Sequence, residues 1–233
     1  VIAQVGSAVA TGAKSAVYRP EFDSFADLRA FLDNGGQRGV QRPVLPPGTI
    51  APIHPVGFVV ITSDEVFGKP VSESTLSAAQ QVEPAALRVT HITPQGDRDM
   101  VGVVTTLEGP PSGDIASRIG AFSDVTAMEQ SGAGSAVQII QTVLRAKNDL
   151  HDNYQDYQAF LDNGGCIGLQ HDPLLYGSYL LNPFLVKVEL REMLVVRQGE
   201  VAVIKAYVGL PTEDTSGEEF KFGSIVKPGH QGI

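Results

Sequence analysis

No run of apolar residues in this chain is long enough to cross a bilayer, which takes about 18 or more. The longest candidate, Leu174 to Val188, is broken by Asn182 and Pro183, so the segment is expected to be extramembrane. Positive charge is also scarce. Lys and Arg number 17 against 26 Asp and Glu, for a net charge of −9. A chain of that sign repels phosphate backbones and anionic lipid surfaces, which argues against free binding to nucleic acid and against adsorption to such a membrane. Cysteine is nearly absent, and the single Cys166 cannot form an internal disulfide. Gly-Lys-Ser/Thr, His-Glu-x-x-His and Gly-x-Ser-x-Gly are all missing, so a P-loop, a zincin helix and a nucleophile elbow are not expected. No charged stretch followed by an apolar one opens the chain, which starts on Val1 rather than Met. That start is expected to lie inside a longer protein.

What is present is repetition. Phe-Leu-Asp-Asn-Gly-Gly occurs at 31–36 and again at 160–165. Each copy continues with a glycine, one residue and a glutamine (Gly39, Gln41; Gly168, Gln170), then a leucine (Leu45; Leu174), a glycine (Gly48; Gly177) and a proline (Pro55; Pro183). One constant offset relates the copies from Gly36 and Gly165 through Gly48 and Gly177, and by Pro55 and Pro183 it has shortened by a single position. A third, partial copy is Lys-Pro-Gly-His-Gln-Gly-Ile at 227–233, which sets Gly229 and Gly232 opposite the earlier pairs. Short β-branched runs ending in glycine stand at 1–6, 101–109 and 201–209, and each is taken to open a unit. The connector from that closing glycine is of middle length from Gly6 to Gly36, longest from Gly109 to Gly165 and shortest from Gly209 to Gly229. Fixed strands around a connector of free length describe a supersecondary unit with a variable insertion.

The expected fold class is therefore α+β and β-rich, with tandem small antiparallel β modules that carry helical insertions and are joined by β-hairpins. The modules are expected at 1–97 and 98–199, with the start of a third at 200–233. An apolar fraction of 42% with 25 glycines and 15 prolines fits short strands and many turns. Strands are expected at Phe58–Ile61 and Leu185–Val196, where Val186, Val188 and Leu190 alternate with Lys187, Glu189 and Arg191. One linking hairpin is expected from Leu87–Ile92 through Pro94–Asp97 to Val101–Leu107, and another through Gln198–Glu200 into Val201–Val208. With no Ser/Gly linker, the modules should form a stiff rod.

The helical insertion of the second module is placed at about 110–158. Ser135 and Gln138 form a capping box, and the apolar period from Val137 to Tyr154 predicts a helix over Ala136–Tyr157. A weaker helical period runs through Ile115, Ile119, Phe122 and Val125. Ser24–Phe31, in the first module, is the short counterpart of the long helix's end. Both helices should stop at Asn-Gly, where Asn34-Gly35 and Asn163-Gly164 tolerate left-handed geometry. Gly35, Gly36, Gly39, Gly48, Gly164, Gly165, Gly168, Gly177, Gly229 and Gly232 are read as structural turn residues. They follow a helix and precede a strand, the wrong order for a dinucleotide fingerprint. His151, Asp152, His171 and Asp172 form the one dense His/carboxylate set, and His151, His171 and Asp172 are the only weak metal candidates, private to the second module because Phe22 and Arg42 occupy the places of His151 and His171 in the first. Cys166 replaces Gln37 and reads as a small filler rather than a reactive thiol. No cofactor and no catalytic residue is expected.

The strings Gly-Gly-Gln-Arg-Gly-Val-Gln at 35–41, Leu45-Pro46-Pro47-Gly48 and His54-Pro55, with their copies Gly-Gly-Cys-Ile-Gly-Leu-Gln at 164–170, Gly177-Ser178-Tyr179 and Asn182-Pro183-Phe184, carry a resemblance. Together with Val195-Val196-Arg197-Gln198-Gly199-Glu200-Val201-Ala202-Val203-Ile204, they are similar to the repeat region upstream of the SPFH domain in large bacterial SPFH (stomatin, prohibitin, flotillin, HflK-like; band 7) proteins. Thr49-Ile50-Ala51, Tyr176 and Cys166 depart from that pattern. The resemblance implies a flotillin-like scaffold whose many copies associate laterally into a ring or cage that organises a membrane microdomain. It implies a membrane anchor outside this chain, membrane-protein clients, and an SPFH domain after Ile233, with the cytoplasmic side favoured for this segment. The alternative expectation is a partner-protein-binding repeat array that uses the helical insertion and builds no large assembly.

Overall fold

A computed structural model describes residues 1–110 and 148–204. The chain divides into two compact units, one made of Val1–Pro110 with Ala146–Met193, the other of Pro111–Arg145 with Leu194–Ile233. The first unit is α+β and rich in antiparallel strands. Its elements are β1 (Ile2–Ala3), α1 (Leu28–Asp33), β2 (Gly39–Val40), β3 (Phe58–Ile61), β4 (Val66–Phe67), α2 (Glu73–Gln80), β5 (Thr90–Ile92), β6 (Met100–Thr106), α3 (Tyr157–Asp162), β7 (Gly168–Leu169), β8 (Gly177–Tyr179) and β9 (Val186–Glu192). In the second unit the described residues, 194–204, form a turn in which the Glu200 N–H donates to the Arg197 carbonyl at 3.0 Å. Val201, Val203 and Ile204 are exposed there and hold no strand assignment.

The sequence repeat is a structural repeat down to strand register. In the first copy β1 lies between β2 and β3, with Ile2 opposite Val40 on one side and Val59 on the other. In the second copy β6 lies between β7 and β9, with Thr105 opposite Leu169 and Lys187. Val40 and Leu169 stand at the offset that relates the glycines of the two copies, and Val59 and Lys187 at the one that relates the prolines. The bond just beyond each ladder recurs as well: the Gln4 N–H donates to the Gly57 carbonyl at 2.8 Å, and the Leu107 N–H to the Leu185 carbonyl at 2.8 Å.

Both short helices start and stop by the same chemistry. Asp27 and Asp156 are the N-caps, each accepting from a first-turn backbone N–H. At the other end Asn34 and Asn163 return their side-chain amides to the Ala30 and Ala159 carbonyls at 2.9 and 2.8 Å. Gly35 and Gly164 then take φ of +77° and +82°, the left-handed step that glycine makes without steric cost. The following glycines, Gly36 and Gly165, serve a different need. A Cβ on either would come within 2.4 Å of the Phe31 or Phe160 ring, so the loop can lie against the aromatic core only without a side chain.

Each copy has its own core. The first gathers Phe22, Phe25, Phe31 and Phe58 around Ala3, with Phe31 and Phe58 meeting edge to face at 5.1 Å. The second gathers Tyr154, Tyr157 and Phe160 with Val104, Leu174, Leu185 and other apolar residues. His151 fills the place of Phe22, its ring perpendicular to Phe160 at 5.3 Å.

Three expectations are corrected. The helix over Ala136–Tyr157 does not continue through its described end: after a 3₁₀ turn at Asn148–Leu150, Asp152, Asn153 and Tyr154 have φ of 45°, 55° and 66°. The first copy makes the same left-handed step at Ser24 and Phe25 (φ 51° and 66°), so helix begins at Leu28 rather than Ser24. His151 and Tyr154 lie in a turn that feeds their rings into the core ahead of Tyr157 and Phe160 of α3, and the turn is held where His151 Nδ1 accepts from the Tyr154 N–H at 2.8 Å. Residues 136–147 and the period from Ile115 to Val125 lie outside the described residues.

The second correction concerns the link through Pro94–Asp97. It closes only at its tip, between Gln95 and Arg98. β5 pairs with β8, Thr90 opposite Tyr179, while β6 takes β7 and β9 as neighbours. The two strands around the turn each pair with a more distant strand of the second copy. The second expected hairpin is not formed in its described part, because β9 stops at Glu192 rather than Val196 and Val201–Ile204 are not strand; residues 205–208 lie outside the described set.

Candidate functional site

The most heavily buried polar cluster among the described residues lies where the first copy meets the second. The segment Lys14–Ala16 runs beside β2, with the Ala16 N–H donating to the Val40 carbonyl at 2.8 Å. This places Ser15 inside, at 1% exposure. Arg42 follows β2, and Glu108 follows β6. Their side chains meet at 3.1 Å with 6% and 5% exposure.

The polar side-chain atoms of Ser15, Arg42 and Glu108 face complementary ones. Glu108 Oε1 accepts from the Lys14 N–H at 3.1 Å, the Ser15 N–H at 3.2 Å and Arg42 Nη2 at 3.1 Å. Its Oε2 accepts from the Ser15 hydroxyl. Arg42 Nε donates to Ser15 Oγ at 2.9 Å, and Nη1 to Gln158 Oε1 of α3. Asn182, buried ahead of β9, donates to the Gln41 and Arg42 carbonyls at 2.9 and 3.1 Å. The Tyr157 hydroxyl donates to the Glu108 carbonyl at 2.7 Å.

Burial alone would raise the Glu108 carboxyl. The Ser15 hydroxyl and N–H, followed by the Arg42 guanidinium, more than offset this and hold it below its ordinary value. Burial pushes the Tyr157 phenol up, so it remains a neutral donor. A buried charge pair with its lone pairs and protons satisfied resists separation, because removing one partner strands the other charge out of water. The chemistry available here is that of a lock between two bodies.

The metal candidates are dispersed in role. His151 is buried among Tyr154 and Phe160. His171 lies partly exposed, Nε2 at 3.5 Å from Asp172 Oδ1, while Asp172 Oδ2 accepts from the Asn148 N–H at 3.4 Å and its carbonyl accepts from the Tyr154 hydroxyl at 2.8 Å. Among the described residues no group of three or more His, Cys, Asp or Glu side chains is placed to hold a metal ion. Of the turn glycines, Gly35, Gly39, Gly48, Gly164 and Gly168 have positive φ, and Gly36, Gly165 and Gly177 do not; Gly229 and Gly232 lie outside the described residues. Cys166 is buried. Among the described residues no helix is long and apolar enough to cross a membrane.

Sequence reasoning passed over the seam because it looked for what the copies share. Arg42 stands where the second copy has His171, Asn182 where the first has His54, and Glu108 where the first has Val5. One signal was available: Glu108 is a carboxylate inside an otherwise uncharged β-branched run. An open groove of 480 Å³ also spans the two copies, with Val44–Gly48 on one wall and Leu180–Phe184 on another. Compared with protein-family models, curated proteins and solved structures, the chain matches none.

Proposed function

We propose that this chain is a stiff, non-catalytic wall segment of a membrane-associated, flotillin-like SPFH scaffold. In this reading many copies associate laterally into a ring or cage that organises a membrane microdomain, with membrane-protein clients inside it. The anchor lies outside this chain, the segment faces the cytoplasm, and neither nucleic acid nor cofactor takes part. The observation that carries the reading is the seam: two copies of one three-stranded β unit are locked together by a buried Arg42–Glu108 pair, where a flexible linker would leave them free to reorient. A wall needs fixed angles between its units. Net charge of −9 agrees with a segment held off anionic lipid.

The test is the mass and shape of the full-length protein, extracted from membranes in mild detergent and imaged as single particles. Closed particles of many copies are expected. A monomer or small dimer under those conditions overturns the scaffold and favours the second reading, a partner-protein-binding array. That reading draws on the apolar groove shared by the two copies.

A further inference from the structure

We infer that the outer edge of β9 is a self-association edge, on which β9 of a second copy of this chain adds antiparallel in a register centred on Leu190. This deepens the scaffold reading and rests on it.

The repeat itself indicates what such an edge accepts. In the first copy the side of β3 away from β1 carries β4, with Val60 opposite Phe67 and Ile61 opposite Val66. The corresponding residues of β9 are Val188 and Glu189. Among the described residues no strand covers that side, since β9 ends its sheet. β9 is also the longer strand, paired with β6 from Val186 to Glu192. The Leu107 N–H bonds the Leu185 carbonyl and the Met193 N–H bonds the Asp99 carbonyl at 2.9 Å. These two bonds fix the phase of the ladder. Odd-numbered residues of β9 bond β6, and Val188, Leu190 and Glu192 turn their N–H and C=O groups outward. An exposed row of that kind is a template for another strand.

Charge selects the occupant and the register. Lys187, Glu189 and Arg191 alternate on the solvent face, Glu189 lying 3.2 Å from Lys187 and 3.0 Å from Arg191. Guard charges of one sign would repel a second copy in every register, and this order does not. Centred on Glu189, antiparallel pairing sets Glu189 opposite Glu189 and Lys187 opposite Arg191, like against like. Centred on Val188, it sets Lys187 opposite Glu189 but calls on the Val186 N–H, which already donates to the Asn182 carbonyl at 2.9 Å. Centred on Leu190, it sets Glu189 opposite Arg191 of the second copy twice over and uses only the free groups of Val188, Leu190 and Glu192. Leu190, 40% exposed, then meets its own counterpart on the other face.

The experiment is analytical ultracentrifugation of this chain from low to high micromolar concentration, with far-UV circular dichroism as the check on folding. The intact chain is expected to associate reversibly. Glu189→Arg, at an exposed site, should weaken association about tenfold by turning two attractive cross-strand pairs repulsive. Glu189→Arg combined with Arg191→Glu should restore it, because the swap re-creates the complementarity in both copies. Leu190→Cys should cross-link under mild oxidation, as Cα atoms opposite each other in a bonded pair lie about 5.5 Å apart. Monomer at every concentration, or association indifferent to Glu189→Arg, overturns this edge. The scaffold reading falls separately, if the full-length protein in detergent forms no large particle.

Discussion

Replacing Glu108 with Gln tests the seam directly. The amide keeps the shape of the carboxylate and can still accept from the Lys14 and Ser15 N–H groups that now bond Oε1. What it removes is the charge opposite Arg42, whose side chain is 6% exposed and remains cationic. Leaving one member of a buried pair uncompensated costs about 3–5 kcal/mol, a large share of the roughly 5–15 kcal/mol that holds a domain folded. Removing the cation as well, with Arg42→Met, should return most of that loss, since a buried pair replaced by apolar groups of similar volume is often close to neutral. The assay is urea unfolding of the wild type, Glu108→Gln, Arg42→Met and the double variant. The expected coupling is about 2–3 kcal/mol between the two sites, with an unchanged m-value. Glu108→Gln within about 0.5 kcal/mol of wild type, or strictly additive changes, would refute the argument that the pair locks the two copies together.

Because the Glu108 carboxyl lies below its ordinary value in the folded chain, its contribution is fully present above the unfolded value of about 4.3 and is lost as pH falls through the lower folded value. The stability gap between wild type and Glu108→Gln should therefore stay constant from pH 7 to about 5 and shrink below about 4; a gap that widens on acidification contradicts the assignment. Gly165→Ala places a Cβ 2.4 Å from the Phe160 ring and should cost about 1–3 kcal/mol by overpacking. Gly48→Ala, with φ of +80° and open space around it, should cost only the backbone strain of about 1–2 kcal/mol; equal and negligible effects in thermal unfolding would dismiss the packing argument. Zinc titrated into the chain in a calorimeter should give no heat above buffer. Stoichiometric binding abolished by His171→Ala would reinstate the metal candidates.

The repeat was legible because both copies keep the residues that solve a backbone problem. Asp27 and Asp156 as caps, Asn34 and Asn163 as stops, and the Gly-Gly pairs pressed on Phe31 and Phe160 all recur at one offset, and strand register follows them. The left-handed steps at Ser24–Phe25 and Asp152–Tyr154 were hidden, since rings spaced three positions apart serve a helix and such a turn alike. The pairing of β5 with β8 was hidden for another reason: the partner strand, where His91 meets Ser178, lies far along the chain and leaves no mark on local alternation. The seam was invisible to a comparison of copies because Arg42, Glu108 and Asn182 are places where the copies differ. Recognising it required those differences to be seen in contact.

The closing bonds of the connectors carry a consequence for tolerance to change. The Ser7 N–H donates to the Gly36 carbonyl at 2.9 Å, and the Ile167 N–H to the Pro110 carbonyl at 3.1 Å, so each excursion leaves and re-enters the framework at one point. The path from Gly109 to His151 in the second copy is more than twice as long as the equivalent path from Gly6 to Phe22 in the first. A flexible connector lengthened by that ratio costs less than about 1 kcal/mol more to close, at about 0.6 kcal/mol for each doubling. The framework is a socket with a pinched mouth, and a passenger of quite different size, even a small folded domain, should be carried there while the strands beneath keep their register.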